Sequence, residues 1–184
     1  CHVNVLQTQD HPQFKTYAEE LKWLTTDKTR MKWVANTIKN ISSSGNTLIL
    51  VDRISAGEIL EAQIDGAVFV SGSTKNTDRK EQYDEISTAT NKVIIATYGV
   101  AAVGINIPRI FNLVLIEPGK SFVRVIQSIG RGIRKAEDKD SVQIWDITSS
   151  CKFAKRHLGA RKKFYKEANY PYNIQKINYE NPYI

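Results

Sequence analysis

The stretch Thr47-Leu48-Ile49-Leu50-Val51, followed by Asp52-Arg53, decides the fold class of this chain. Its apolar residues follow one another directly instead of alternating with polar ones. A short run of this kind is typical of a β-strand buried on both faces, as in a parallel sheet covered by helices. Comparable runs recur at residues 67–70, 93–96, 113–116 and 142–145. Val3-Asn4-Val5-Leu6 could form one further short strand and complete the sheet.

Helical patterns separate these runs. Met31, Val34, Ile38 and Ile41 recur at the spacing of one helix face, and a Ser/Gly stretch follows them. Further helices are predicted at residues 15–24, at 54–64, from residue 77 onward, at 123–134 and in the tail at 152–166. Strands that alternate with helices predict an α/β fold of three layers, in which a mainly parallel sheet carries helices on both faces.

In sheets of this kind, ligands bind beyond the carboxyl ends of the strands. The segments that directly follow the predicted strands are therefore candidates for chemistry. They are Asp52-Arg53, Ser71-Gly72-Ser73-Thr74, Thr97-Tyr98-Gly99 and Glu117-Pro118-Gly119.

The composition indicates an ordinary globular protein. Of the 184 residues, 41% are hydrophobic and 24% are charged. No apolar run approaches the roughly 18 residues that a membrane span needs, and the start of the chain has no secretory signal pattern. Cys1 and Cys151 make no disulfide framework, and the histidines are not spaced with them as zinc ligands, so we expect no metal site. Reduced thiols favour a cytoplasmic location, and the missing initiator Met leads us to expect a fragment.

The net charge of +7 is concentrated in the tail. Residues 151–184 contain eight basic and two acidic residues, together with five of the eight tyrosines. Basic side chains suit phosphate backbones, and aromatic rings stack on bases. The alternative is that the apolar side chains of the tail dock a helix on the core while its basic side chains are only solvated. Both can hold together, because long basic side chains cover apolar surface while their charges stay in water.

The segment Gln127-Ser128-Ile129-Gly130-Arg131-Gly132-Ile133-Arg134 carries a possible anion site. At helical spacing, Gln127, Arg131 and Arg134 lie on one face. Guanidinium groups bind phosphate oxygens in pairs, whereas glycine is unfavourable within a helix and suggests close approach of a ligand or backbone. The segment alone is equally compatible with a surface helix that contains glycines.

A second segment, residues 94–108, precedes it. A strand is predicted to end at Thr97, whose hydroxyl could contact a phosphate. A run of small residues follows, with Gly104 and Asn106 near its end. Small residues allow backbone amides to approach an anion closely.

Together these segments resemble motifs five and six of superfamily-two helicases. Gln127, Gly130, Arg131 and Arg134 match the pattern Gln-x-x-Gly-Arg-x-x-Arg, and Thr97, Gly104 and Pro108 match motif five. Asn106 stands where many members have Asp, so the ribose contact would lack a charge. Residues 47–53 resemble motif four, and residues 71–74 with Arg79 resemble the glycine-containing segment before motif five. The resemblance implies a RecA-like fold, the second motor domain of a helicase.

The resemblance also implies roles for individual residues. Arg134, with Arg131 beside it, would act as an arginine finger on the γ-phosphate of ATP. Gln127, Gly104 and Asn106 would bind the nucleotide. Nucleic-acid contacts are expected from Thr97, Ser71, Gly72, Ser73 and Arg53, and from the tail residues Lys155, Arg156, Arg161 and Lys162. If the tail neutralises about four phosphates, binding should fall with salt with a slope of about −3 to −4.

Residues 68–85, 94–120 and 144–157 resemble, within this family, phage helicases that remodel branched DNA. This implies junction migration, fork regression and R-loop unwinding as activities in recombination, repair and replication. The expected substrate is branched DNA, with an RNA–DNA hybrid possible, and the expected location is the host cytoplasm. We expect a monomer whose remaining partner is the N-terminal motor domain of the same protein.

The sequence contains no Gly-x-x-x-x-Gly-Lys-Ser/Thr phosphate loop and no acidic Asp-Glu-x-His or Asp-Glu-x-Asp tetrad. ATP and Mg²⁺ would therefore be bound mainly by an N-terminal motor domain absent here, and we expect the chain alone not to hydrolyse ATP. The predicted organisation is an incoming segment at residues 1–29, the motor domain at 30–150 and a basic, Tyr-rich extension at 151–184.

Two other functions fit parts of the pattern. The chain could be a non-catalytic module that has a motor-like fold and binds nucleic acid or protein. It could also be a metabolic α/β enzyme, but the Gly-x-Gly-x-x-Gly mark of dinucleotide binding is absent. Replacing Arg131 or Arg134 separates the first alternative from a helicase, because only a helicase would lose ATP turnover.

Overall fold

The computed structural model describes residues 2–70, 91–102, 110–119, 122, 125–127 and 142–179. Within these residues, seven strands form one sheet. They are β1 (His2–Thr8), β2 (Thr47–Val51), β3 (Val68–Val70), β4 (Val93–Thr97), β5 (Asn112–Ile116), β6 (Gln143–Ser149) and β7 (Tyr172–Ile177).

The described helices connect or flank these strands. They are α1 (Tyr17–Thr26), α2 (Lys28–Ser42), α3 (Ile54–Gln63), α4 (Tyr98–Ala102) and α5 (Lys152–Glu167). Thr16 caps α1 by accepting the backbone N–H of Glu19, and Asp27 caps α2 by accepting that of Arg30. No described helix is both long and apolar enough to cross a membrane.

The strands lie in the order β3-β4-β2-β5-β6-β1-β7, and each neighbouring pair is parallel. This confirms the predicted α/β sandwich with a parallel sheet. The five strands predicted between residues 47 and 145 are present, and residues 3–6 lie in β1, as expected of a further strand. Strand β7 and the short helix α4 were not predicted. The predicted helix that begins at Thr77, and most of the one at 123–134, lie outside the described residues.

Alternate side chains of the buried strands point to opposite faces. Leu48 and Leu50 of β2 belong to the core under α5, whereas Ile49 and Val51 belong to the core under α2 and α3. All four side chains are completely buried. Because both faces of β2 are covered, the strand reads as an unbroken apolar run.

Segments from all three predicted parts of the chain lie in this one sheet. Strand β1, from residues 1–29, lies between β6 and β7, and β7 belongs to the predicted extension. A small apolar cluster also joins Leu24 of α1 to Cys151 and Ala154 at the start of α5. The predicted boundaries after residues 29 and 150 therefore do not separate independent sheets. That they divide the chain into parts with different functions remains a prediction.

Candidate nucleotide and nucleic-acid site

The parallel sheet brings the predicted site segments to one edge. Val51 at the end of β2 pairs with Thr97 at the end of β4, and on the other side Leu50 pairs with Leu115, two residues before Glu117. The residues that follow these strands therefore emerge side by side. Seven predicted site residues lie outside the described residues: Ser71, Gly72, Ser73, Gly104, Asn106, Arg131 and Arg134.

Thr97 and Arg53 occupy this edge. The hydroxyl of Thr97 accepts the backbone N–H of Val100 at 3.3 Å, so it caps the short helix α4. Its own O–H remains able to donate to a phosphate oxygen. Arg53 precedes α3, is half-buried and donates to the carbonyl oxygen of Ala18 at 3.3 Å. Its guanidinium must leave or share this contact to bind a nucleic-acid backbone.

Gln127 is exposed, whereas Val125 and Ile126 beside it are buried in the core under α5. Phe122, at the start of the same segment, is also buried. Its ring makes edge contacts with Phe164 and Tyr165 of α5, at centroid distances of 5.4 and 5.5 Å. The segment that carries Gln127 is thus packed against α5 through its apolar residues.

The loop between β5 and this segment begins with Glu117, which a buried ionic network holds. Arg30, with no exposed surface, donates to the carboxylate of Glu117 and to the carbonyl oxygens of Leu24, at 2.7 Å, and Thr148, at 3.2 Å. Its Nε also donates to the hydroxyl of Thr8 at 3.1 Å. A single arginine side chain therefore joins α2 to the ends of three strands.

Asp10 completes the network from the other side. Its carboxylate lies 3.7 Å from Nε of Arg30 and accepts hydrogen bonds from Thr8 at 2.6 Å, Ser149 at 2.5 Å and Tyr179 at 2.6 Å. Three hydroxyl donors and one cation thus surround this buried carboxylate. The network fixes the segment that follows β1 to β6 and to the residues after β7.

Glu117 has an unusual backbone conformation and a raised pKa. Its φ of 45° lies in the left-handed region, which is costly for a residue with a side chain. Burial raises the pKa of Glu117 from 4.5 to about 7, and the Arg30 guanidinium opposes this shift. A carboxyl group that titrates near neutral pH therefore lies at the start of the 117–119 turn (Glu117, Pro118, Gly119).

Arg161 holds the same turn from α5. Its guanidinium binds both carboxylate oxygens of Asp146, at 2.8 and 3.0 Å, and donates to the carbonyl oxygen of Pro118 at 2.7 Å. Tyr165 donates to Asp146 at 2.7 Å. Arg161 and Asp146 are 2% and 0% exposed, so solvent does not reach the pair.

This burial corrects one sequence expectation. Arg161 was expected to contact nucleic acid, but its side chain points into the core and its guanidinium is bound to Asp146 and Pro118. Lys155 and Arg156 are exposed and Lys162 is half-buried, so these three remain available to a phosphate backbone. Leu158 and Tyr165 are buried, so the tail helix is docked on the core as the alternative interpretation held.

The basic surface of α5 begins near its first turn. Lys152 and Arg156 both lie over the ring of Phe153, at 5.5 and 5.6 Å from its centroid. Such cation–π contacts hold the two charges close to an aromatic face. Lys155 lies beside them and lines an open cleft of about 780 Å³, to which Lys15 and His11 also contribute.

The sequence interpretation missed the buried charges. Arg30 lies four residues before Val34 on the apolar stripe of α2, and Asp146 lies between the apolar residues Trp145 and Ile147 of β6. A charge at a position that the periodicity assigns to the core signals a buried ionic partner. The identity of each partner could not be read from local patterns, because Arg30 and Glu117 are 87 residues apart.

Comparison with known proteins identifies the family. Residues 29–136 match the model of the helicase conserved C-terminal domain. The ATP-dependent DNA helicase uvsW of Enterobacteria phage T4 is 30% identical over 155 residues, which cover 82% of this chain and 31% of that protein. The putative helicase 22 of a Sulfolobus islandicus filamentous virus is 28% identical over 137 residues, covering 72% of this chain and 24% of that protein.

Solved structures share the fold. The crystal structure of T4 UvsW superposes with a TM-score of 0.80 at 24% identity, covering 97% of this chain and 42% of that one. The Escherichia coli DEAD-box protein SrmB superposes with a TM-score of 0.65 at 17% identity, covering all of this chain and 95% of that one. These likenesses confirm the RecA-like fold expected from the motifs.

The chain spans less than a third of the length of the two curated relatives. The family match nevertheless covers more than half of the chain, including β2, β4, β5 and the segment with Gln127. The resemblance to superfamily-two helicases is thereby confirmed, and the chain belongs to the family of helicase conserved C-terminal domains.

Proposed function

We propose that this chain is the second motor domain of an ATP-dependent DNA helicase or translocase. The observation that carries the proposal is the match of residues 29–136 to the helicase C-terminal family, together with Thr97 at the end of β4 and the exposed Gln127 in the segment after β5. The relative from phage T4 is named an ATP-dependent DNA helicase, which favours DNA as the substrate.

ATP would lie between two motor domains, and the upstream domain would bind most of its phosphates and Mg²⁺. This chain would close over the nucleotide through Gln127, Gly104 and Asn106. Arg134, with Arg131 beside it, would stabilise the charge that develops on the γ-phosphate. An arginine finger contributes about 10³–10⁵ to the rate of phosphoryl transfer.

Nucleic acid would bind through its backbone. Thr97, Arg53 and the 71–73 segment are the proposed contacts near the sheet edge, and Lys155, Arg156 and Lys162 those on α5. Contacts to phosphate and sugar carry no sequence information, so binding would be sequence-independent. Branched DNA is the proposed preferred form, as the motif resemblance implies, with junction migration, fork regression and R-loop unwinding as the proposed activities.

The test measures ATP turnover of the full-length protein with and without branched DNA. Arg134→Ala is expected to lower DNA-stimulated kcat by about 10³-fold or more, and this chain alone is expected to be inactive. Lys32→Ala, an exposed basic residue of α2, is the matched control and should retain turnover. Hydrolysis that is indifferent to Arg134 would favour a binding module with a motor-like fold instead.

A further inference from the structure

The 117–119 turn is the covalent start of the proposed finger segment. It leaves the end of β5 and leads within eight residues to Gln127, and then to Arg131 and Arg134. The position and direction of this turn therefore constrain where the finger segment begins. Phe122 continues the turn by donating its N–H to the carbonyl oxygen of Gly119 at 3.3 Å.

Arg30 and β6 hold the turn from one side. The carboxylate of Glu117 is bound by Arg30, and the Glu117 N–H donates to the carbonyl oxygen of Ile147 at 2.9 Å. These contacts keep Glu117 at its left-handed φ of 45°. A strained residue of this kind persists only where the surrounding structure over-determines it.

Arg161 holds the turn from the opposite side. Its guanidinium donates a hydrogen bond to the carbonyl oxygen of Pro118 at 2.7 Å. Asp146 fixes the plane of the guanidinium by binding two of its nitrogens, and Tyr165 in turn binds Asp146. Such a bidentate pair sets direction as well as distance, because the guanidinium is a rigid planar fork.

The next contact along the chain comes from the same helix. Phe122 packs edge-on against Phe164 and Tyr165, which follow Arg161 by about one turn of α5. The turn and the first apolar residue of the finger segment therefore rest on one helix face. A shift of α5 would move both together.

We propose that Arg161 is a positioning residue for Arg134: by holding Pro118, it fixes the start of the segment that presents the finger to ATP. The proposal rests on the proposed finger role of Arg134. Arg161 itself is buried and bound to Asp146 and Pro118, so it acts through the turn. Its removal frees the turn from which the finger segment starts, and a displacement of about 1 Å at a reacting group can cost about 10²-fold in rate.

The test compares kcat and KM for ATP in the full-length protein. Replacing Arg161 alone would leave Asp146 buried and unpaired, so the double variant Asp146→Asn/Arg161→Gln is used, which removes both charges. We expect kcat to fall about tenfold or more, within the range that misplacement of a reacting group allows, while the Kd for DNA changes by less than about twofold. Glu20→Ala is the control, because it weakens the docking of α5 at its other end and does not touch the turn.

Thermal unfolding of both variants separates positioning from simple destabilisation. If the double variant and Glu20→Ala lose similar Tm but only the double variant loses kcat, the proposal stands. If kcat falls in both in proportion to Tm, or in neither, the proposal is overturned.

A second route works if the double variant does not fold. A Cβ at Gly119 would lie 3.0 Å from the Tyr17 hydroxyl, so in Gly119→Ala the turn or the Tyr17 side chain has to give by a few tenths of an ångström. We expect Gly119→Ala to lower kcat about three- to tenfold and Tyr17→Phe, which removes the opposing oxygen, to restore it within about twofold. An unchanged kcat in Gly119→Ala, or no restoration, contradicts the proposal.

Arg134→Ala is measured in the same series. If it retains kcat, the proposed function fails, and with it the basis for any positioning role. If Arg134→Ala abolishes turnover while the double variant and Gly119→Ala retain it, the finger role stands and only the positioning role of Arg161 is overturned.

Discussion

Glu20 of α1 caps helix α5 through Phe153, whose backbone N–H donates to one carboxylate oxygen of Glu20 at 2.9 Å. The N–H of the next residue, Ala154, donates to the other oxygen at the same distance. No side chain of α5 itself caps this end, since Cys151 makes no capping bond. A buried carboxylate near the start of the chain thus satisfies the first turn of a helix near its end.

Glu20→Ala should therefore destabilise the domain by about 2 kcal/mol. The variant leaves one buried and one partly buried N–H group without an acceptor, and each unsatisfied buried group costs about 1–3 kcal/mol before relaxation or hydration reduces the loss. Urea unfolding of the chain, followed by tryptophan fluorescence, measures the difference in the free energy of unfolding.

Glu19→Ala is the matched control, because it removes the same charge from an exposed neighbour in the same helix turn. Its effect should stay within about 0.5 kcal/mol. Equal losses in the two variants would mean that charge near the N-terminus of α1, and not the cap on α5, stabilises the fold.

Local patterns predicted the parallel sheet and much of the site. The run at residues 47–51 is β2 as observed, because a strand covered on both faces needs apolar side chains at every position. The rule that ligands bind beyond carboxyl strand ends located Thr97, Arg53 and the 117–119 turn together. These inferences depend only on residues close in sequence, so they can be made without a structure.

Strand β7 and the buried ionic pairs could not be predicted from local sequence patterns. Most of β7 is exposed and it pairs along one edge with β1, so its sequence carries no apolar run. Arg161 belongs to a run with Lys162 and Lys163, which suggests a solvated surface. Only the packing of α5 against β6 reveals that Asp146 lies within reach of this one arginine.

Replacing two helical glycines by alanine should change the stability of the domain in opposite directions. Gly159 lies in α5 with open space where a Cβ would be added, so Gly159→Ala should stabilise the domain by about 0.5–1 kcal/mol. In Gly57→Ala of α3, the new Cβ would lie 2.5 Å from the ring of Phe69. The resulting overpacking should cost about 1–3 kcal/mol, which exceeds the gain in helix propensity.

Thermal unfolding of the two variants checks both signs in one experiment. The double variant Gly57→Ala/Phe69→Leu should recover part of the loss, because the shorter side chain vacates the contact. Destabilisation by Gly159→Ala would mean that the exposed surface of α5 is covered by another part of the molecule.

The protonation of Glu117 should make the stability of the domain depend on pH. A carboxyl group whose pKa is about 7 in the folded chain and 4.5 otherwise takes up a proton on folding between these values. The free energy of unfolding should therefore fall as the pH rises from about 4.5 to about 7, by up to about 3 kcal/mol, and then level off. Arg30, Arg161 and Asp10 are the charged groups that act on Glu117.

The measurement is chemical unfolding of the chain and of Glu117→Gln at several pH values from about 5 to about 8, the range in which the linkage acts. The difference between the two curves isolates Glu117 from the histidines, which titrate in the same range. We expect the variant to gain stability relative to the native chain as the pH rises. A difference that is independent of pH, or of opposite slope, would show that Arg30 keeps Glu117 ionised throughout.

The basic surface of α5 should set the salt dependence of DNA binding. Each phosphate neutralised in duplex DNA contributes about −0.9 to the slope of log affinity against log salt concentration. With Arg161 buried, Lys155, Arg156 and Lys162 remain, so the tail should contribute a slope of about −3.

Lys155→Ala/Arg156→Ala should reduce the magnitude of the slope by about 2 and weaken binding most at low salt. Fluorescence anisotropy of labelled DNA with the full-length protein, over a series of salt concentrations, measures both effects.

Lys32→Ala/Lys39→Ala removes the same charge from exposed positions of α2, on the opposite face of the sheet. This variant should leave the slope unchanged within about 0.5, since it alters net charge without removing a phosphate contact. If both double variants change the slope equally, the tail acts only through the overall charge of the protein. If neither changes it, α5 is a docked helix on which Lys155, Arg156 and Lys162 are only solvated, and backbone contacts at Thr97 and Arg53 must supply the affinity.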